Sequence, residues 1–403
     1  MAMQVPVRLG PAEETLIAQL NAKGASAEAE RLSASGLPTR RVESYHYTDL
    51  KTLLRAVPEL AAEGGEASGA RLAVDGAKRI EIRNGKVALP GDLPGAIKAD
   101  TTPGGVLTTR DDVLVRLNGA LVGDSLSLDL HGEIADIIQI DRLIDGAAAH
   151  VASGAKIFLG EAGKAVVVET FSGSDAAHVG NAASYVAVGK NAELTHVMVN
   201  LMPGEATHFA TAEYHLAEGA KLRTLVINAG AKLSRVQLFP RYGGANAHGD
   251  ITALNLVGDG QHVDVTMDAH HAVPHTTSQP LFKSVARGRS TAVVQGRLVV
   301  ARDAQKTDAK MMAQGLMLSD EANILAKPEL EIYADDVVCG HGATCGRLDE
   351  DSLFYLMSRG IPQTEAETML TRAFLAEVID PITDEALKAA LDGVIENWLG
   401  QGA

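Results

Sequence analysis

The chain has 403 residues, 46% hydrophobic and 22% charged, enough apolar content to bury a sizeable core divided among two or three domains. Its formal charge of -15 argues against nucleic acid as a partner, because phosphate binding relies on basic surface. Two cysteines in so long a chain argue against a disulfide framework and suit a reducing compartment that leaves both thiols available.

Residues 1–20 carry one basic residue and alternate apolar with acidic positions, so they read neither as a secretory signal nor as a transit peptide. No stretch approaches a membrane span, and the expected location is cytoplasmic. Leu16, Ile17 and Leu20 after Glu13 and Glu14 predict a helix that ends near Gly24, with a second short helix over residues 27–32. Residues 61–70 are Ala/Gly/Glu-rich and read as a loose linker.

From about residue 71 to 344 short β-branched runs are broken by glycine, at residues 79–83, 166–168, 197–199, 225–227, 254–257 and 292–294. Each run is too short for a helix, and no long helical pattern separates them, which disfavours a βαβ fold. Gly189-Lys190-Asn191-Ala192-Glu193-Leu194 and Glu218-Gly219-Ala220-Lys221-Leu222 each precede an apolar run, and the two leucines lie 28 residues apart. That period suits a solenoid whose coils bury their apolar faces by stacking. Forty glycines and only 4% aromatics fit tight corners and small inward side chains, so a β-helix is predicted. Periodicity alone does not separate it from a sandwich of many short strands.

Helix signals return near the end. Asp349 or Asp351 caps a helix through Leu353, Phe354, Leu356 and Met357 that Gly360 ends. Pro362 opens a second, with Ala366, Met369, Leu370, Ala373, Phe374 and Val378 on one face, and a third follows Thr383 with Leu387, Leu391, Val394, Ile395, Trp398 and Leu399.

Catalytic constellations are missing from the sequence. Gly160-Glu161-Ala162-Gly163-Lys164-Ala165 has the wrong spacing for a phosphate cradle and reads as a β-turn, so no nucleotide is expected to bind this chain and it is not expected to be an enzyme. His131, His150, His178, His196, His208, His215, His248 and His262 read as surface or packing residues. Asp264, Asp268, His270, His271 and His275 are denser, but neighbours on a strand point to opposite faces, which sets a shared ion against a hydrogen-bonded turn or dimer contact.

Both cysteines fall in Cys339-Gly340-His341-Gly342-Ala343-Thr344-Cys345, followed by an acidic helix start and Phe354-Tyr355-Leu356-Met357-Ser358-Arg359-Gly360-Ile361. In an extended segment Cys339 and His341 project to one side, and Gly340 and Gly342 allow another backbone to approach. Cys345 has the same parity but lies roughly 20 Å from Cys339 along such a strand, and it reads first as a small buried residue. Iron-sulfur clusters take four protein ligands, and Cys339, His341 and Cys345 are too few to enclose one.

Residues 335–361 closely resemble the SufB/SufD family of the SUF iron-sulfur cluster assembly machinery. Residues 37–50 resemble the family's Pro-x-x-x-x-Glu-x-Trp-x-Tyr-Thr segment, with Tyr45 where Trp is usual and His46 read as packing. The SufD-like side of the family is indicated because SufB-like members carry Cys-x-His-Glu-Ala where this chain has Cys339-Gly340-His341-Gly342-Ala343. The resemblance implies a right-handed parallel β-helix flanked by helical domains: an N-terminal helical domain and linker over 1–95, the core over 96–346, and a C-terminal helical domain over 347–403. It also implies a non-ATPase subunit that pairs with a SufB-like paralogue and docks a SufC-like ATPase. Arg359, Met369, Leu370, Ala373 and Phe374 are the expected partner-binding residues. His341 and, less strongly, Cys339 are expected to contact a transient iron-sulfur cluster or its metal at the paralogue interface. The competing readings are a homodimeric β-helix scaffold without a metal role and a β-helix carbohydrate-active enzyme with an acid-lined cleft.

Overall fold

The computed structural model describes residues 8–62, 69, 71–107 and 110–401, so most of the expected linker over 61–70 lies outside the described residues. Helices α1 (Pro11–Ala22) and α2 (Ser26–Ser35) come first, and Gly24 between them has φ +75°. A helical turn (Glu43–Tyr45) and α3 (Leu50–Leu53), capped by Asp49, follow. A hairpin of β1 (Lys78–Arg83) and β2 (Lys86–Ala88) turns on Asn84 and Gly85, both with positive φ as a tight two-residue turn requires. Next come β3 (Ile97–Pro103), α4 (Val113–Leu121) and β4 (Asp124–Leu130). β1 already pairs in parallel with the solenoid, so the β-structure begins before residue 96.

From there the chain alternates between two parallel sheets. One receives β6 (His150–Leu159), β8 (Val179–Val188), β10 (Thr207–Leu216), β12 (Leu233–Tyr242), β14 (His262–His271), β17 (Thr291–Val300) and β19 (Asn323–Ile332) after β4. The other receives β5 (Ile138–Ile144), β7 (Lys164–Gly173), β9 (Glu193–Asn200), β11 (Lys221–Asn228), β13 (His248–Val257), β15 (Thr277–Ser278), β16 (Leu281–Ala286), β18 (Asp308–Met317) and β20 (Val338–Gly346). The result is a β-solenoid of about eight turns with helices at both ends of the chain. Leu194 lies directly opposite Leu222, so the 28-residue spacing is one coil. The repeated corner motifs are its corners: Asn191 and Gly219 both adopt left-handed backbone, and a Cβ on Gly219 would stand 2.2 Å from the Asn191 side chain. Gly160–Gly163 is such a turn, closed by the Gly163 amide donating to the Gly160 carbonyl.

Residues such as Val167, Leu194, Met198, Leu222 and Val226 fill the lumen. The outer faces are covered as well, which is why the strands read as unbroken apolar runs instead of alternating ones. Leu16, Leu20, Leu32 and α4 pack over Ala152, Val179, Phe209 and Leu233 of the β6–β12 sheet. On the opposite sheet, Val197, Leu225, Ile227, Leu254 and Val285 are covered by α6 (Gln363–Ile379) and α7 (Glu385–Gly400). The C-terminal helices therefore lie along a face, and among the described residues the last coil's end is uncapped.

The buried line of α6 is Ala366, Thr371, Leu375, Val378 and Ile379, rotated from the stripe expected from sequence. Met369 and Ala373 are exposed, and Leu370 and Phe374 are half-buried. Contact with both the sheet and α7 sets this rotation, since Leu375 and Ile379 join Leu391 and Ile395 in one core.

Candidate functional site

β20 forms one uncovered edge of the last coil and pairs only with β18 among the described strands. Cys339 stands opposite Ala309, His341 opposite Met311 and Cys345 opposite Gly315. Ala309, Met311 and Ala313 belong to the lumenal core, so the register puts Cys339, His341, Ala343 and Cys345 on the lumenal side, with no coil beyond them among the described residues. On β19, Ala326 and Leu330 continue the same open rung above Val294 and Leu298. Pro328 sits in the middle of β19, which an edge strand tolerates because its missing amide breaks no ladder beyond it.

Gly340 and Gly342 take the alternate parity, toward the outside of the sheet. A Cβ on Gly340 would meet nothing within 4 Å, whereas one on Gly342 would press on the Met312 thioether. Around this end Ile332, Tyr333, Val338 and Met312 are exposed. An open apolar lumen with two unpaired edges is a surface that folded solenoids cover with a cap or a partner.

Cys339 is half-buried and His341 is exposed, while Cys345 is exposed and not the buried packing residue expected, because among the described residues no strand stacks over β20. Burial pushes both thiols up, partly offset at Cys339 by a hydrogen bond with the Ala309 backbone. Each is held as a thiol, so metal capture here must displace protons. β20 is continuous from Cys339 to Cys345, and no turn brings the two together. Among the described residues no three His, Cys, Asp or Glu side chains converge to hold a metal.

The histidine-rich stretch separates as strand parity requires. His271 is buried, stacked flat on Tyr242 at 4.2 Å, with its ring nitrogens against Thr276 and Ser278. His270 faces outward beside Arg241, and His275 occupies a left-handed turn position. Asp264 and Asp268 are engaged by Arg235 and Arg297. His46 is exposed, with its ring against the Arg40 carbonyl.

Sequence reasoning missed a polar cluster inside the lumen. Arg142 donates to Glu169 (2.7 Å), to Ser153 and to Ser184, and His196 lies 3.0 Å from Glu169 and 2.9 Å from the Tyr214 hydroxyl. Burial would raise the Glu169 carboxyl, but Arg142 and then the His196 hydrogen bond hold it well below the usual carboxylate range. Arginine in the lumenal series Ile138, Ile140, Arg142, Ile144 was the available signal.

A groove of about 1100 Å³ crosses the outer face of the β10–β19 sheet beside residues 42–44. Its acid-rich wall is what the carbohydrate reading requires. Yet Glu213 lies against Arg110 and His215, and Asp268 and Glu331 against Arg297. A glycosidase needs one carboxyl in apolar surroundings, whereas these carboxylates stand beside cationic side chains.

α5 (Glu350–Ser358), capped by Asp349, has no buried residue. Phe354, Tyr355 and Met357 are 74%, 56% and 42% exposed, and Met369 of α6 is exposed too. Arg359 lies over the Tyr355 ring, whereas Phe374 faces inward over the buried Lys283 ammonium at 4.3 Å.

Residues 143–374 match the family model described as SUF system FeS cluster assembly, SufBD core domain. The chain is 29% identical over 397 residues to the iron-sulfur cluster assembly protein SufD of Escherichia coli, covering 93% of this chain and 92% of that protein. A SufBD family protein of Synechocystis is 28% identical over 400 residues, covering 90% and 88%. With more than half of its length matched by the family model, and with the solenoid that the sequence resemblance implied, the chain belongs to the SufB/SufD family of iron-sulfur cluster assembly proteins.

Proposed function

We propose that this chain is a SufD-like, non-catalytic subunit that pairs through the open end of its solenoid with a SufB-like paralogue and carries a SufC-like ATPase on its C-terminal helices. His341, with Cys339 beside it, contributes to a cluster-assembly site that the paralogue completes, and the iron-sulfur cluster is transient cargo of that shared site. The supporting observation is the last coil, uncapped among the described residues, where His341 stands on the lumenal face of an edge strand with too few described ligands nearby to hold a cluster alone. Cytoplasmic work accords with a chain in which, among the described residues, no helix is long and apolar enough to cross a membrane.

The test is complementation of a strain lacking this protein, read together with gel filtration of the complex. His341→Ala is expected to abolish cluster assembly while the complex elutes unchanged, and Cys345→Ser to be nearly silent. Full rescue by His341→Ala would sink the ligand role, and loss of the complex would make the residue structural.

ATPase docking has its own probe. Phe354 is exposed on a helix that buries nothing, so Phe354→Asp is expected to weaken ATPase binding about 100-fold or more, as loss of an aromatic anchor does, with an unchanged melting temperature. Phe374→Asp is expected to lower the melting temperature as well, because that ring seats α6 on Lys283. Wild-type ATPase affinity in the Phe354 variant would move the dock elsewhere.

A further inference from the structure

Residues 42–48 cross four successive strands of the outer sheet that ends in β19. Arg235 of β12 lies under the Tyr45 ring at 4.2 Å and donates to the Ser44 carbonyl at 2.7 Å. Thr48 donates to Asp264 of β14 and lies 2.9 Å from the His262 ring. Gln295 of β17 donates to Ser44, and Glu43 pairs with Lys327 of β19. Tyr45 in turn donates to Asp112 at 2.8 Å, which caps α4.

We propose that this segment is a clasp that orders the terminal coil, making the docking face dependent on the N-terminal helices. In a solenoid each coil is held by its neighbours, and an end coil has only one. β19 shows the consequence, being only half-buried along nearly its whole length. The clasp supplies what stacking cannot: a direct link from the end coil to strands two and three positions back and to α4. It is also built to let go. Arg235 and Asp264 are fully buried beneath it but pair with each other, so lifting the segment strands neither charge. Among the described residues the Arg235 Nε has no hydrogen-bond partner, and exposure would hydrate it. Glu43, with a side chain 80% exposed, forms the exposed tip beside the open end.

The link to docking rests on the function proposed above, but the clasp can be tested on the full-length chain alone by hydrogen exchange. Tyr45→Ala removes the ring and the hydroxyl. Glu43→Lys removes only the tip contact, by placing like charge against Lys327, and keeps the test valid if the first variant loosens the N-terminal helices. Both are expected to raise amide exchange in residues 323–332 roughly tenfold or more while residues 150–188 keep wild-type protection. Protection of 323–332 at the wild-type level in both variants would overturn the clasp. If exchange rises as expected yet paralogue affinity is unchanged, the clasp stands and the open-end docking face is wrong.

Discussion

Acidification from pH 7.5 to about pH 5 is expected to destabilise this protein steeply, with unfolding at pH 5 taking up about three protons. Burial drives the His150 imidazole down to about 4. Burial, with Arg142 nearby, drives His208 down to about 3, and burial with His270 nearby does the same to His271. Their ordinary value is 6.5, so the unfolded chain binds protons between pH 6.5 and those lower values that the folded chain refuses. The contribution is therefore complete above pH 6.5 and is lost as pH falls toward 4 and 3. Three such groups give a slope of about 4 kcal/mol per pH unit near pH 5. Urea titrations at several pH values measure it directly, and His208→Leu should flatten the slope by about one third. A midpoint that does not move between pH 7 and 5 would mean that these rings are hydrated.

Replacing Glu169 by Ala is expected to cost about 3–5 kcal/mol, because it leaves the Arg142 guanidinium buried without its counter-charge. Arg142 and Glu169 are 4% and 0% exposed, so water cannot replace the lost partner without opening the lumen. The paired substitution Arg142→Met with Glu169→Leu should recover most of the loss, since apolar side chains of similar volume fill a lumen as well as a buried ion pair does. Thermal unfolding of the three variants decides it. A double variant as unstable as Glu169→Ala would show that Ser153, Ser184 and His196 also depend on the pair.

The coil length was legible because corners repeat: Asn191 and Gly219 meet the same backbone demand, and Leu194 and Leu222 then fall opposite each other. Asp349 as a cap and Gly360 as a stop were legible because they act within one helical turn. Arg142, Glu169 and His196 were not, since they sit 27 residues apart and meet only when coils close. The rotation of α6 was hidden for a related reason: period 3.6 marks an apolar stripe but not which flank faces the sheet. At the candidate site, the extended segment and the shared side of Cys339 and His341 followed from strand parity. The exposure of Cys345 did not, because it depends on β20 being the last strand.

The clasp also works as a ruler. A solenoid changes length only by whole coils, each step adding about 4.8 Å. Residues 43–48 could reach about 20 Å only if fully extended, which would unwind the helical turn at Glu43–Tyr45, and they are anchored at Thr48 on β14 and at Glu43 on β19. Duplicating or deleting one coil between those strands would carry Lys327 a full step away from Glu43 even if every ladder re-formed in register. Natural length variation in this lineage is therefore expected to fall at the corners, or in coils before β14, and the number of coils from β14 to the open end should stay fixed.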